Sequence, residues 1–324
     1  MRKIVFANTQ LEVSPLSLGT VNFGTSTPEA EAFYQMDHYR ELGNFIDTAH
    51  VYGDWEPGGK SASEKVIGKW LKSRGMNGRM IISSKGAHPV IGDPAFRPRM
   101  SKAEIAKDLE ESLTYLGVDA IDMYFLHRDD VSRPVEEIVD IMEDFRKQGK
   151  IRFYGVSNWK LDRIIKAQEY AHRIGTPGFT CNQLMWSLAA ILYENVSDKT
   201  LVAMDKETYA HHSKNHMNVM AYRSIAKGYF SHKYAGTCVR ESVLSTYNTP
   251  ANDKIYEQLL SLSAETGIGI TPLSLAYFEH QPFPSVAIAS FSNRNQLDDG
   301  LSFLETDIPF EVSKRLQALR NDLI

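Results

Sequence analysis

Cysteine is scarce: Cys181 and Cys238 are the only two in 324 residues. Two thiols make no disulfide framework, so the core must hold the fold, and a reducing cytoplasmic setting is expected. Cys181 lies in an apolar, strand-like stretch and reads as a small buried thiol. No run approaches the ~20 apolar residues of a membrane span. The basic start is not followed by the apolar core of a secretory signal. An excess of one charge is also lacking: 36 basic against 40 acidic residues give −4. That balance offers nucleic acid or an anionic membrane no global attraction, so any phosphate site must be local. There is no solenoid-length repeat, low-complexity tract or linker. His212 and His216 have i,i+4 spacing, but no Glu completes an H-E-x-x-H pattern. With His211 they are expected at a solvated helix end, with no metal.

What the chain does have is regular alternation. Short β-rich runs are expected at Leu16–Leu18, Asn44–Asp47, Met80–Lys85, Ile121–Leu126, Ile151–Val156, Thr180–Gln183, Val219–Tyr222 and Ser285–Ala289. Helical patterns separate them: Pro28–Leu42, Ser61–Arg74, Ser101–Leu116, Pro134–Gln148, Leu161–Arg173, Asp198–Ser213, Asp253–Glu265, Leu273–His280 and Asn293–Leu301. Ser101 and Glu104 have capping-box spacing, Pro134 suits a first helical turn, and Gly43 and Gly117 stand where left-handed C-caps do. Strict β/α alternation implies a parallel sheet, and eight units favour closure. The expected architecture is one (β/α)8 TIM barrel over residues 1–324. A hairpin, Lys3–Phe6 with Leu11–Val13, would plug its bottom, and an extra helix, Pro309–Leu323, would follow the last unit. Tyr222–Pro250 shows no helical period and is expected to be a long functional loop.

In such barrels the chemistry sits at the C-terminal ends of the strands. Asp47, Tyr52, Lys85 and His127 all fall there. A phenol titrating near pH ~10 is a poor acid at neutrality. The Lys85 ammonium is expected to lower that value, with Asp47 keeping the lysine charged. His127 would orient a substrate oxygen, leaving Tyr52 to protonate it as hydride arrives. Taken singly, Asp47 also reads as a helix cap, Tyr52 as a loop aromatic and Tyr222 as core. Trp55, Trp159, Trp186 and His88 lie in or beside rim loops. With Tyr52, His127 and Arg128 they suit a pocket for a polar carbonyl compound or a sugar. Arg128 and Asp129 read equally as a rim ion pair.

The segments Leu18-Gly19-Thr20, Phe45-Ile-Asp-Thr-Ala, Tyr52-Gly53, Ser63-Glu64, Lys85, Leu126-His127, Gly155-Val-Ser-Asn158, Asn182-Gln183 and Ala221-Tyr222 resemble the aldo-keto reductase superfamily, in its bacterial and channel-subunit-like branches. The resemblance implies metal-free hydride transfer from NADPH, with NADH as the alternative. By position it places Ser157, Asn158 and Gln183 on the nicotinamide carboxamide and Tyr222 on its ring. Gly19, Thr20 and Asp47 would lie beside the cofactor. Arg223, Ser224, Ile225, Ala226, Lys227 and Gly228 would cradle the pyrophosphate. Ser290, Ser292, Arg294, Gln296 and Asp299 would meet the adenosine end. The chain departs from the family pattern in having Arg223-Ser-Ile where Ser-Pro-Leu is frequent, and Ser290, Gln296 and Gly300 near the adenosine end. A nicotinamide-binding regulatory subunit and a non-redox barrel isomerase are the competing classes. Substrate identity, reaction direction and oligomeric state are not specified by these residues.

Overall fold

A computed structural model describes residues 2–320 and 322. Eight parallel strands close into a barrel: β3 (Leu16–Gly19), β4 (Phe45–Asp47), β5 (Ile81–Gly86), β6 (Ile121–Leu126), β7 (Ile151–Ser157), β8 (Cys181–Met185), β9 (Asn218–Tyr222) and β10 (Ser285–Ala289), with β10 returning to β3. Before them, β1 (Ile4–Val5) and β2 (Glu12–Val13) form the antiparallel hairpin. The helices are α1 (Glu29–Tyr39), α2 (Ala62–Arg74), α3 (Lys102–Leu116), α4 (Val135–Lys147), α5 (Leu161–Arg173), α6 (Lys206–Asn215), α7 (Tyr229–Tyr234), α8 (Glu241–Tyr247), α9 (Pro250–Thr266), α10 (Ile270–Ala276), α11 (Arg294–Glu305) and α12 (Phe310–Ala318). The expected C-terminal helix is therefore α12. The expected span also takes in Asn321 and Leu323, which lie outside the described residues.

Two cores follow from the two-residue period of a strand. One face of each strand joins the large helix-facing core, as Leu18, Ile82, Tyr124 and Val156 do. The other face points into the barrel, where Phe45, Met123, Phe125, Cys181, Met220, Val286 and Ile288 pack together. Phe6, Leu11 and Val13 of the hairpin segment join this inner cluster, so the hairpin plugs the barrel. Two steps along the inner face from these apolar residues come Asp47, His127, Gln183, Tyr222 and Ser290; Lys85, Ser157 and Gly19 hold the same parity on their own strands. The alternation that fills the barrel thus also aims the candidate site residues into its mouth.

The local signals mostly hold. Ser101 and Glu104 form the capping box, and Gly117 is a left-handed C-cap. Gly43 is not: its φ is not positive, and a Cβ there would strike the Tyr39 ring. Pro134 is the N-cap residue, one position before the first turn. Residues 198–205 do not join α6. Their backbone pairs with the end of β8 through Met185 N–H to Val202 O and Met204 N–H to Met185 O, both 2.9 Å, and Asp205 caps the helix instead. The segment 222–250 is not irregular throughout, for it holds α7 and α8. Both are too short for a periodic pattern to show.

Gly68 on α2 is required by close packing. A Cβ there would run into the Tyr115 carbonyl at the end of α3, which is backbone and cannot rotate away. Gly68→Ala is expected to destabilise by about 1–3 kcal/mol, the usual range for overpacking. Urea denaturation would show it as a lower midpoint with unchanged slope.

Candidate active site

The barrel mouth brings together four of the residues singled out above. Asp47 ends β4 and Lys85 stands one residue from the end of β5. Lys85 Nζ donates to Asp47 Oδ2 at 2.7 Å, to the Thr48 carbonyl at 2.6 Å and to the Tyr52 hydroxyl at 3.4 Å. Asp47 Oδ1 accepts from Ser83 Oγ at 2.8 Å and Gln183 Nε2 at 2.9 Å. The pair is buried, with side-chain exposures of 1% and 3%. A buried ion pair persists only when its remaining valences are satisfied, and here two donors and one carbonyl do that. Tyr52 comes from the turn after β4, where its N–H bonds the Ala49 carbonyl at 3.0 Å. Its ring lies 4.9 Å from Lys85 Nζ and edge-on to His127 at 6.0 Å. Directly after β6, His127 is held by its N–H to the Gly86 carbonyl at 2.9 Å.

The electrostatics differ from expectation in one respect. Burial pushes the Tyr52 phenol up; Lys85 pulls it down without cancelling that effect. Burial opposes the Lys85 ammonium, but Asp47 and Tyr52 outweigh it and hold its pKa up. Burial, with His88, Arg128 and Lys85 nearby, keeps His127 far below its usual value. At neutral pH the site therefore presents a protonated phenol, an ammonium–carboxylate pair and a neutral imidazole.

Around this group lie the other candidates. Ser157 and Gln183 are register partners on β7 and β8. Asn158, in a left-handed conformation at φ 62°, donates to the His127 carbonyl at 3.3 Å and accepts from the Tyr222 hydroxyl at 2.6 Å. Thr20 Oγ1 donates to the Asp47 carbonyl at 2.8 Å, which makes it a support for Asp47. Gly19 leaves room for Ser290, whose Oγ would lie 2.7 Å from a Cβ at that position. After β9, Arg223, Ala226, Lys227 and Gly228 all have positive φ, and the Ser224 hydroxyl ties the loop to the Ile288 carbonyl at 2.7 Å. Ile225 packs against the large core. At the start of α11, Gln296 Oε1 accepts from the Ser292 N–H at 3.0 Å, Arg294 pairs with Glu31, and Asp299 is exposed.

Beside Tyr52 and His127, His88 lies 4.8 Å from His127, ring to ring, and Trp55 lies 6.4 Å from Tyr52. Burial and Arg128 hold His88 down at about 4. Trp159 and Trp186 do not line the mouth: both are fully buried, donating to the Arg128 carbonyl and the Tyr277 hydroxyl. Arg128 and Asp129 are not paired with each other. Arg128 bonds Asp198 and Thr200, and Asp129 bonds Arg163. Nor do the histidines form a solvated end, because His212 is fully buried beside Asn182 while His216 is the exposed C-cap. Sequence reasoning missed Ser83, which shares the inner parity of Lys85 and was within reach of the two-residue rule. It also missed Asp198, for which no local signal exists.

A family model for the aldo/keto reductase family matches residues 15–321, and the chain belongs to that family. It is 35% identical over 195 residues to the uncharacterized oxidoreductase YrpG of Bacillus subtilis, a match covering 58% of this chain and 59% of that protein's length. It is 24% identical to protein Tas of Escherichia coli, over 96% of this chain and 95% of that one. A probable voltage-gated potassium channel subunit beta of Oryza sativa is 26% identical, over 95% and 93%. These last two match the bacterial and channel-subunit-like branches. The thermostable aldo-keto reductase Tm1743, solved with the inhibitor epalrestat, superposes with a TM-score of 0.70 at 23% identity, covering 98% of this chain and all of that one. The class is an oxidoreductase on a (β/α)8 barrel, in a family that uses NAD(P)H. No single helix among the described residues is long and apolar enough to cross a membrane.

Proposed function

We propose that this chain is a carbonyl reductase, or in reverse an alcohol dehydrogenase, acting with NADPH on an aldehyde, ketone or sugar-like carbonyl. The observation that carries the reading is the Tyr52 hydroxyl at 3.4 Å from a lysine that is itself locked to Asp47. The donor set at the mouth fits a nicotinamide: a hydroxyl from Ser157, side-chain amides from Asn158 and Gln183, and the ring of Tyr222 lie beside Tyr52 and His127. When bound, that group supplies the hydride. Tyr52 then donates its proton to the substrate oxygen, and neutral His127 orients that oxygen without adding charge. Lys85 stabilises the resulting phenolate, and Asp47 keeps Lys85 in place. Trp55, His88 and Arg128 line the substrate side. Backbone around 224–228 cradles the pyrophosphate, and Arg294 with Ser292 takes the 2′-phosphate.

Fluorescence titration with NADPH and NADH, followed by turnover of a carbonyl panel, tests the proposal. Binding with turnover supports it. Binding without turnover of any carbonyl, with capture of a partner protein, would favour a regulatory subunit. No binding of either nucleotide would sink it.

The pH dependence has a definite sign. Reduction needs the protonated phenol, and burial raises the Tyr52 pKa. Reductive turnover is therefore expected to stay flat through neutral pH and fall only in strong alkali. Oxidation needs the phenolate and should rise with pH across the same range. Removing the ammonium in Lys85→Met pushes the phenol higher still, moving the oxidative limb to more alkaline pH. Profiles that stay superimposable on wild type would argue against a tuning role for Lys85.

A further inference from the structure

We infer that Glu31 weakens the preference of this chain for NADP(H) by competing with the 2′-phosphate for Arg294. The inference rests on the reading above, which puts the adenosine end of the cofactor at the start of α11. In the segment 290–300, Arg294 is the one basic residue, against Asp298 and Asp299. Ser292 N–H is already bonded by Gln296 Oε1. The serine hydroxyls remain as neutral donors, and the one charge-assisted contact this segment can make to a phosphate comes from Arg294.

That arginine is engaged by the neighbouring helix α1. Its Nε and Nη2 donate to Glu31 Oε2 at 3.2 and 3.1 Å. Its guanidinium carbon lies 3.7 Å from the centre of the Tyr34 ring. Asp298, one turn on, acts on it electrostatically and lies 3.2 Å from Nε2 of His38, whose ring stacks on Tyr34 at 5.9 Å. Glu31, Tyr34 and His38 of α1 thus clasp Arg294 and Asp298 of α11.

A phosphate monoester carries a charge near −1.5 to −2 and is a natural bidentate partner for arginine. Glu31 holds the Nε and Nη2 donors of Arg294, so a phosphate either displaces it or takes the Nη1 end with the carboxylate close by, and on both routes it works against that negative charge. NADH, with a 2′-hydroxyl, makes no such demand. Arg294 is open to solvent and Glu31 partly so, with side-chain exposures of 57% and 26%, so the competition is worth a few-fold rather than orders of magnitude. Glu31 touches neither hydride nor substrate; it is a positioning residue that weakens the preference for the phosphorylated cofactor.

Fluorescence titration with NADPH, NADH, 2′,5′-ADP and 5′-ADP reads this without turnover. E31Q is expected to raise affinity for NADPH and 2′,5′-ADP by about threefold, leaving NADH and 5′-ADP unchanged. E31D, which keeps the charge, should stay with wild type. R294A should bring NADPH down to the affinity of NADH. An unchanged NADPH:NADH ratio in E31Q, with R294A still collapsing it, would overturn the role of Glu31 and leave the placement of the adenosine end standing. An R294A variant that binds NADPH as wild type does would overturn both. Failure of all four nucleotides to bind would overturn the functional reading itself, and the competition at Arg294 with it.

Discussion

Tyr52→Phe is expected to lower carbonyl turnover by about 10²–10⁴-fold, the usual worth of a positioned general acid, while leaving nicotinamide affinity within about twofold of wild type. The substitution removes one hydroxyl and keeps the ring that packs edge-on to His127 and lies against Lys85 and Trp55. The fold should barely register the change, because that hydroxyl receives its 3.4 Å contact from a lysine with two shorter partners. Single-turnover kinetics with NADPH and a competent aldehyde would measure the chemical step directly. Retention of more than about a tenth of the wild-type rate, with chemistry limiting, would remove Tyr52 as the acid.

The second large effect concerns Asp47. Asp47→Asn leaves the Lys85 ammonium buried without its counter-charge, and breaking one side of a buried ion pair typically costs about 3–5 kcal/mol. The variant is expected to unfold at much lower denaturant and to lose activity. Activity loss alone would be ambiguous, so a double variant separates the causes. Asp47→Asn combined with Lys85→Met removes both charges and should recover much of the lost stability while staying inactive. A single Asp47→Asn variant as stable as wild type would mean that Lys85 gives up its proton in the folded state. Burial favours that loss once Asp47 no longer holds the Lys85 pKa up, so the result would show that the pair serves the site's charge state rather than the stability of the fold.

Much of the site was legible from strand parity. Phe45 and Asp47, Phe125 and His127, Cys181 and Gln183, and Met220 and Tyr222 each pair an inner apolar residue with a polar one two positions on. Once eight short strands are recognised, every polar side chain at the C-terminal end of an inner row must meet at the mouth. Helix ends with sharp chemistry were legible for the same local reason, as at Ser101 and Gly117. Where a local signal was ambiguous, longer-range structure decided. The expected helix from Asp198 lost to pairing with β8, and Gly43 is glycine because of the Tyr39 ring rather than because of a turn.

By itself, then, the sequence determined the barrel, its hairpin plug and the residues gathered at the mouth, because a two-residue period and a β/α alternation are properties of neighbours along the chain. Only the tertiary structure decided which charge meets which. Arg128 takes Asp198, 70 residues away, rather than the adjacent Asp129, and Arg294 takes Glu31, 263 residues away. It also decided that burial outweighs Lys85 at the Tyr52 phenol. Such outcomes depend on distance through space and on how much water the fold excludes, and neither is encoded in the spacing of residues along the chain.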